Sequence, residues 1–385
     1  MLHDVVIVGA GPVGSALALA LADSDLDVVV LDGRGSAQIA RGDRSLALSH
    51  GARLILERLD VWSELVTVDG AVTTIVRIDI SQVGGFGQVV LTADEQGIPA
   101  LGYAVSYRAL QAALDAALAR ERVAVRYGTR ATSVGGTPAF AAVAIDGADS
   151  QPLLARIAAV ADGGGAFVGN ATRRRYEYGQ VALVATVTRN IPHAGIAYER
   201  FAPEGPIALF PEGNDYGLVW TATPERAQSL LAMDEATFVA DLGRQLGKRV
   251  AGLTGVSRRR TFPLVLEFSR VPASARCVAL GNAAQTLHPV AAQGFNIGLR
   301  DAWVLAEIIR DTRREDLGGR AMLARYVGDR RRDRLAGIAL THGLVQLFGS
   351  DASFLRWPRG LALTLLDVVP AAKRAFTGAM MFGLR

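Results

Sequence analysis

The sequence is poor in the residue types that build disulfide frameworks and metal clusters. Its 385 residues include a single cysteine, Cys277, which excludes an intrachain disulfide and any cysteine-based cluster. A single cysteine is also compatible with a reducing compartment. The five histidines show no ligand spacing with one another or with the cysteine, so no metal site is predicted. They are His3, His50, His193, His288 and His342.

Long apolar runs and processing signals are also missing. No stretch of roughly 18 apolar residues occurs without a charge or a turn, so the sequence does not predict a membrane-spanning helix. The first apolar residues feed directly into a glycine turn instead of following a charged segment, so no signal peptide is predicted. We therefore expect a cytoplasmic protein.

Charge of one sign is not concentrated strongly enough to predict nucleic-acid binding. The formal net charge is +4, and the surplus arginine follows Arg300, in "RDTRRED" and "RYVGDRRRDR". Acidic residues interrupt both segments and no aromatic stacking pattern accompanies them. We interpret them as a solvated helix face, with a patch for anionic lipid or a partner as the alternative. The G-x-S-x-G motif is absent, which argues against an acyl-transfer hydrolase.

The N-terminal sequence has the pattern of a dinucleotide site. An apolar strand, "DVVIV", leads through "GAGPVG" into an alanine-rich helix and a second strand, "LDVVVLD". Gly9 permits a tight turn, Gly11 lets the backbone approach a pyrophosphate, and Gly14 allows the helix to pack closely on the strand. Asp32, which ends the second strand, is placed to accept hydrogen bonds from ribose hydroxyls, with a turn aspartate as the alternative. This motif does not distinguish FAD from NAD.

The rest of the chain alternates between two kinds of pattern. Helical spacing from Ser45 to Leu59 predicts a helix that begins at the serine. Short β-like segments lie between about 70 and 100, and a longer β-rich tract covers roughly 180–268. After this tract the chain returns to a strand, "CVALGNAAQ", and a helix, "GFNIGLRDAWVLAEIIRDT". We predict a nucleotide domain that is interrupted by a separate sheet.

Three separated segments together resemble one family. They are "GAGPVG", "ADGGG" with Asp162 and Gly163, and "GNAAQTLHPVAAQGFNIGLRDA" at 281–302. They resemble the flavin-dependent aromatic hydroxylases of the para-hydroxybenzoate hydroxylase type, and among these the ubiquinone-biosynthesis hydroxylases. The resemblance covers nearly the whole chain in the same order, and it implies FAD as the cofactor.

The resemblance implies an α/β fold: an FAD-binding Rossmann-like (GR2-type) domain with an inserted β-rich substrate domain and a C-terminal helical region. The discontinuous FAD-binding domain would comprise residues 1–70, 101–180 and 269–345. The substrate domain would comprise 71–100 and 181–268, and the helical tail 346–385.

The resemblance also assigns site residues. The backbone of Gly294, Phe295 and Asn296 would face the N1 and C2 carbonyl edge of the flavin, where a helix starting at about Asn296 points its amides. His288 and Pro289 would lie beside the flavin, with capping or packing as the alternative role for His288. The implied FAD contacts are Gly9, Gly11, Gly14, Asp32, Arg44, Arg108, Asp162, Gly281, Asn282, Gly294, Phe295 and Asn296. Phe201, Leu209, Phe210, Pro211 and Trp220 would form the substrate wall, with plain sheet core as the alternative.

Two features depart from the superfamily pattern. Asn282 stands where many relatives carry aspartate, and this change keeps the hydrogen bond but removes a charge. Ala166 and Gly169 stand where a serine and an arginine are usual, which puts the docking of NAD(P)H in doubt. No second GxGxxG follows a strand, so the resemblance implies a reductant that visits transiently.

The implied reaction is hydroxylation of a polyprenylated phenol in ubiquinone biosynthesis, using NAD(P)H and O2 through a flavin C4a-hydroperoxide. Two alternatives stay open: the same chemistry on a soluble aromatic, and a flavin-bearing, non-catalytic partner subunit of a biosynthetic complex. The apolar tail after Ser350 would lie on the inner face of the membrane, dock a ubiquinone-biosynthesis complex, or form an ordinary packing or homo-oligomer contact.

Overall fold

The structure is a computed structural model that describes residues 1–35, 44–147, 151–164, 173–348 and 356–384. The strands in chain order are β1 (Leu2–Val8), β2 (Val28–Asp32), β3 (Ser45–Ser49), β4 (Val72–Ile75), β5 (Arg77–Gln82), β6 (Gln88–Thr92), β7 (Gly102–Ser106), β8 (Ala124–Tyr127), β9 (Ala131–Gly136), β10 (Ala141–Ile145), β11 (Leu153–Val160), β12 (Arg173–Arg189), β13 (Ile196–Ala202), β14 (Gly205–Glu212), β15 (Asp215–Ala222), β16 (Leu253–Val256), β17 (Arg260–Ser269), β18 (Ala273–Ser274), β19 (Cys277–Ala279) and β20 (Gln285–Thr286). The helices are α1 (Pro12–Ala20), α2 (His50–Arg58), α3 (Trp62–Leu65), α4 (Tyr107–Arg120), α5 (Pro224–Ala232), α6 (Glu235–Leu246), α7 (Gln293–Asp311), α8 (Arg320–Phe348), α9 (Arg356–Val368) and α10 (Pro370–Phe382).

A largely parallel sheet carries the glycine turn. Its strands follow the order β18-β19-β11-β1-β2-β8, and the pairs β19–β11, β11–β1, β1–β2 and β2–β8 are parallel. The inner strands are apolar on both faces because helices α1, α4 and α7 cover one side and the β9–β10 hairpin packs against the other. Ligands bind at the carboxyl ends of such strands. The predicted α/β fold with a Rossmann-like sheet is therefore confirmed.

A second sheet is almost entirely antiparallel. Its strands follow the order β20-β17-β12-β15-β14-β13-β5-β6, and β16 pairs with β12. Helices α5 and α6 cover its outer face, where Phe238 and Leu242 of α6 share a buried cluster with Trp220 of β15. Strands β5 and β6 come from the 71–100 segment, so the chain enters this sheet, leaves it and returns. The boundary predicted at residue 180 falls inside β12, and the domain bounds remain a proposal.

The helix predicted from Ser45 is wrong at its start. Residues Ser45–Ser49 form β3, which pairs antiparallel with β7 in a small sheet that also contains β4. Helix α2 begins at His50, and the hydroxyl of Ser49 accepts a hydrogen bond from the Ala52 amide at its N-terminus. The capping serine is therefore Ser49, and tertiary pairing with β7 overrides the helical spacing of the preceding residues.

A buried ion-pair network joins α7 to α8. Asp301 accepts hydrogen bonds from Arg330 Nε (2.8 Å) and from Gln285 Nε2 (2.8 Å) of β20. Asp333 accepts from both Arg300 (2.8 Å) and Arg330 (2.7 Å). Burial alone would raise the pKa of Asp333, but the two guanidinium groups hold it below its ordinary value.

This network corrects the interpretation of the arginine-rich segment. The prediction of a solvated face is wrong for Arg330 and Arg334, which are both buried. Arg334 donates to Gln285 Oε1 (2.6 Å) and to the Ser269 carbonyl (3.1 Å). A buried arginine is found where carboxylates and carbonyls satisfy its donors, and the acidic residues interleaved in the sequence supply them.

The C-terminal helices pack against the second sheet. Helix α9 contacts β6, and the Asp367 carboxylate accepts a hydrogen bond from the Val90 amide (3.0 Å). Lys373 of α10 pairs with Glu95 (2.9 Å) and Asp367 (3.1 Å). A search of the described ranges for a helix long and apolar enough to span a membrane found none.

We predict that Asp333→Asn destabilises the protein by about 3–5 kcal/mol, because it leaves Arg300 and Arg330 buried with one full carboxylate between them. Asp329→Asn, an exposed position one turn earlier on α8, is the matched control and should change the free energy of unfolding by less than about 0.5 kcal/mol. Urea unfolding followed by circular dichroism measures both. Equal stability of the two variants would contradict this role of the network.

Candidate active site

One cavity of about 930 Å³ connects the glycine turn of the first sheet with the inner face of the second sheet and the C-terminal helices. Most of the predicted site residues line it. These are Gly9, Gly11, Asp32, Arg44, Asp162, Phe201, Leu209, Phe210, Gly281, Asn282, His288, Pro289, Gly294, Phe295 and Asn296. The cavity is charged at the end near the glycine turn and apolar at the end near α9 and α10.

The glycine turn packs too tightly for any larger residue at two of its three positions. Gly9 has φ +102°, and a β-carbon there would lie 2.7 Å from the Ala161 carbonyl oxygen. A β-carbon on Gly14 would overlap the carbonyl oxygen of Gly9. Over Gly11 the space is open, since a β-carbon there would meet nothing within 4 Å. The turn therefore leaves a free space in front of the first amides of α1.

Asp32 closes this end of the cavity. Its carboxylate accepts hydrogen bonds from the Ala10 amide (2.6 Å) and from the backbone amide of Arg34 (2.7 Å). Arg34 also donates its guanidinium to Asp32 (3.1 Å) and to the Ala10 carbonyl (2.9 Å), although sequence reasoning did not select it. Burial would lower the pKa of Arg34, but the Asp32 carboxylate raises it above its ordinary value.

Two further turns reach the same space. Asp162 and Gly163 follow β11, the parallel neighbour of β1, so they lie beside the glycine turn. Asn282 follows β19 and is exposed on a short turn that begins at the buried Gly281, whose φ is +55°. A β-carbon on Gly298 of α7 would lie 3.0 Å from Gly281 Cα, so glycine lets this turn and α7 approach closely. Ala166 and Gly169 lie outside the described residues.

The loop 288–292 enters α7 through two residues in the left-handed region. Ala291 has φ +59° and Ala292 has φ +50°, a conformation that costs a non-glycine residue of order 1 kcal/mol. The helix begins at Gln293, three residues before the predicted start at Asn296. The first-turn amides without a carbonyl partner inside the helix are consequently those of Gln293, Gly294 and Phe295.

The side chain of Asn296 is occupied by the protein itself. Its Oδ1 accepts a hydrogen bond from the Ser49 amide (2.8 Å), and its Nδ2 donates to the carbonyls of Ala292 (2.7 Å) and Ala47 (3.2 Å). Asn296 thus ties the start of α7 to the β3–α2 junction. Its side-chain amide is therefore already satisfied within the protein.

His288 is buried in the loop, and both roles considered for it from the sequence stay open. Its Nδ1 accepts a hydrogen bond from the Val290 amide (3.1 Å), which is a capping contact. Among the described residues its Nε2 has no hydrogen-bond partner. Burial lowers the pKa of His288 to about 4, so the ring is neutral at pH 7. Since Nδ1 accepts, the proton is assigned to Nε2.

The substrate wall differs from its prediction at two residues. Phe201 stacks on Phe348 with ring centroids 3.9 Å apart, and Phe210 also lines the cavity. Trp220 and Pro211 are not among the lining residues. Trp220 packs on Phe238 under α6, because successive residues of a strand face opposite sides of a sheet. The interpretation of sheet core applies to Trp220.

The two arginines predicted near the cofactor lie differently. Arg44 lines the cavity, and its guanidinium lies 4.7 Å from the centroid of the Tyr107 ring. Arg108 is exposed on α4 and is not among the lining residues. A search of the described residues for three or more potential metal ligands grouped together found none.

Comparison with known proteins identifies the family. Residues 3–336 match the family model described as "FAD binding domain". The chain belongs to this family. It is 34% identical over 383 residues to the ubiquinone hydroxylase UbiL of Rhodospirillum rubrum, a match that covers 97% of this chain and 88% of that protein. It is also 26% identical over 385 residues to the 3-demethoxyubiquinol 3-hydroxylase of Escherichia coli, covering 96% of both.

Solved structures agree with the fold of this FAD-binding family. p-Nitrophenol 4-monooxygenase PnpA of Pseudomonas putida has a TM-score of 0.78 at 16% identity, covering all of this chain and 99% of that chain. PqsL of Pseudomonas aeruginosa, in complex with 2-aminobenzoylacetate, has a TM-score of 0.76 at 20% identity, covering 94% and 100%. With the family match and the 34% identical ubiquinone hydroxylase, the chain is a flavoprotein monooxygenase with FAD as its cofactor.

The cavity has the features that FAD requires. Open space lies over Gly11 where a pyrophosphate would meet the amides of α1, and Asn282 lines the same cavity. At the far side, the unpaired amides at the start of α7 and the positive end of its dipole suit the anionic edge of a reduced flavin. FAD would therefore extend from one helix N-terminus to the other.

Sequence reasoning missed the apolar end of the cavity and one acidic residue. Leu363, Phe376 and Met380 line the cavity although they lie in the tail, where the sequence left several roles open. Glu199 of β13 also lines it. The alternation in "IAYERFA" places Ala197, Glu199 and Phe201 on one face, and this signal could have identified the residue.

We predict that Gly11→Ala weakens FAD binding at least tenfold without unfolding the protein, because its β-carbon would occupy only the open space. Gly14→Ala should instead destabilise the fold, since its β-carbon overlaps the Gly9 backbone. Fluorescence titration with FAD and thermal unfolding of the apoprotein separate the two effects.

Gly243→Ala in α6 is the control, because its β-carbon also meets nothing and lies outside the cavity. It should leave FAD affinity unchanged. If Gly11→Ala binds FAD as tightly as this control, the pyrophosphate does not lie at the turn.

Proposed function

We propose that this flavoprotein monooxygenase hydroxylates the ring of a polyprenylated phenol in ubiquinone biosynthesis, with NAD(P)H as the transient reductant. The observation that supports this substrate is the shape of the cavity. Beyond Pro289 it continues between the second sheet and the C-terminal helices as an apolar space. The lining there includes Leu344, Leu347, Phe348, Leu363, Leu366, Phe376, Met380 and Met381.

Bound FAD would take electrons from NAD(P)H and activate O2 for transfer of one oxygen atom to the ring. The chain's own residues would exclude water and position the ring. Phe201 and Val290 belong to one buried cluster with Phe348 and Leu363, which closes the space around a ring beside Pro289. The amides of Gly294 and Phe295 would stabilise negative charge on the flavin.

The apolar extension suits a prenyl tail better than a small soluble phenol. Each buried methylene group contributes about 0.8 kcal/mol, so an isoprenoid chain gains affinity with length until the space is filled. A small phenol would leave this part of the cavity empty. The relatives named as ubiquinone hydroxylases support the same class of substrate.

A tail of this kind resides in a bilayer, and the outer side of α9 fits a membrane surface. Trp357, Leu361, Leu365 and Val368 recur at helical spacing and are exposed, and Trp357 packs on the exposed Phe86. The opposite side of the same helix, at Leu363 and Leu366, lines the cavity. We therefore propose that α9 lies in the interface of the membrane and that the substrate enters beside it.

We predict that the FAD-loaded enzyme oxidises NAD(P)H at least tenfold faster with a prenylated phenol than with the same phenol lacking the chain. Mass spectrometry should find one added oxygen atom in the product. Stimulation by small phenols alone would favour the soluble-aromatic alternative. Bound FAD that no reductant bleaches would favour a non-catalytic partner subunit. The quinone precursor that accumulates without this gene identifies the ring position.

For the membrane surface, we predict that the wild type sediments with vesicles of phosphatidylethanolamine and phosphatidylglycerol. Leu361→Asp combined with Leu365→Asp should lower the bound fraction at least tenfold, because two apolar contacts of about 1.5–3 kcal/mol each are lost. Leu231→Asp on α5, a comparably exposed leucine away from α9, is the control. Equal sedimentation of both variants would exclude α9 as the docking element.

A further inference from the structure

Glu199 is the acidic residue that the second sheet presents to the cavity. It lies in the middle of β13, where it pairs with Ile80 of β5 and Ala208 of β14. On the same strand face, Ala197 and Phe201 also line the cavity, and Ile78, Val219 and Phe210 do so from other strands. A carboxyl group is thus set into an otherwise apolar wall.

One oxygen of the Glu199 carboxyl group is unsatisfied among the described residues. Its Oε1 is buried, and in the described part of the chain it has no hydrogen-bond partner. The next residue, Arg200, points away and donates to Ser81 Oγ (3.0 Å) and to the Gln245 carbonyl (2.9 Å). A buried, unsatisfied carboxyl oxygen costs folding free energy, so its presence in a cavity wall indicates a ligand that satisfies it.

The charged groups near Glu199 are paired with each other or lie elsewhere in the cavity. Arg77 and Asp79 of β5 pair with each other (2.8 Å), and Tyr198 precedes Glu199 on β13. His288 is the ionisable side chain of the loop 288–292, which lines the same cavity, and it is neutral at pH 7. The other charged lining residues, Asp32, Arg34, Arg44 and Asp162, lie toward the glycine turn. Burial raises the pKa of Glu199 from 4.5 to about 7.

We propose that Glu199 is the general base that accepts the proton of the substrate's ring hydroxyl. This inference rests on the proposed function, since it requires a phenol in the cavity. The O–H bond of the phenol breaks, a new O–H bond forms on the Glu199 carboxylate, and the electron pair stays on the ring oxygen. Its negative charge is delocalised into the ring, which makes the ring carbons better nucleophiles toward an electrophilic oxygen.

The cycle closes with no reactant beyond O2 and NAD(P)H. When the ring carbon gains oxygen it still carries its hydrogen, and the loss of this hydrogen as a proton restores the aromatic ring. That proton ends in the water formed from the second oxygen atom of O2. The ring oxygen takes its proton back from Glu199, which returns to the carboxylate. General base catalysis of this kind contributes roughly 10²–10⁴-fold, most effectively when the pKa of the base lies near the working pH.

The test is Glu199→Gln in the FAD-loaded enzyme. We expect hydroxylated product to fall by about 10²-fold or more, while FAD affinity and the rate of flavin reduction by NAD(P)H stay unchanged. In the wild type, product formation should rise with pH through about 7, because the base must be deprotonated. The variant should lose this rise. A fluorinated phenol, which ionises more readily, should restore much of its activity.

An infrared measurement tests the residue without turnover. The wild type should show a carboxylic acid band at about pH 5.5 that disappears by about pH 8.5, and the variant should lack it. Glu204→Gln, at the exposed end of the same β13–β14 hairpin, is the matched control and should behave as the wild type. If the wild type is active and Glu199→Gln has the same rate and pH profile, Glu199 is not the general base. A wild type that hydroxylates no phenol overturns the proposed function instead.

Discussion

The buried carboxylate of Asp301 is the contact on which the position of α7 depends. It is completely inaccessible to solvent, so it must be satisfied within the protein, and its partners come from two other elements: Gln285 on β20 and Arg330 on α8. The second sheet, α7 and α8 are thereby joined at one point. Asp333 completes the arrangement by neutralising Arg300. The N-terminus of α7 can then point at the cavity, because Asn296 fixes its first turn to β3 from the other side.

A second constraint is steric. Helices α1 and α7 both begin at the same cavity. Their backbones and those of the adjoining turns must therefore approach each other closely. Glycine permits this approach at Gly14 over Gly9 and at Gly298 over Gly281. The two glycine-marked loops, almost 270 residues apart in the chain, thus present helix N-terminal amides to different parts of one cavity.

Features formed by residues that are close together in the chain could be predicted from the sequence, whereas features that depend on distant partners could not. The glycine turn, Asp32 and the loop at 281–302 are local patterns, each formed beside its own strand or helix, and the structure brings most of their residues to one cavity. The predicted start of α2 is wrong because residues Ser45–Ser49 pair with β7, which lies more than 50 residues further along the chain. Arg330 and Arg334 were interpreted as solvated because a charge run does not disclose its buried partners. For Trp220 the sequence leaves substrate wall and sheet core open, and the alternation of strand faces, which separates the two, would also have selected Glu199.

The gradient of polarity along the cavity connects these parts. At the glycine turn, charged groups and helix amides suit phosphates, and Arg34 and Asp32 satisfy each other there. Toward α9 and α10 the lining becomes apolar, which suits a chain that has little affinity for water. A molecule with an aromatic head and an isoprenoid tail has one favourable orientation in such a field, with its head toward Pro289. Glu199 stands in the wall of the apolar part, and burial there favours its uncharged form. A carboxylate in this place is consequently costly until it takes a proton, and a phenol held beside it is a source of that proton.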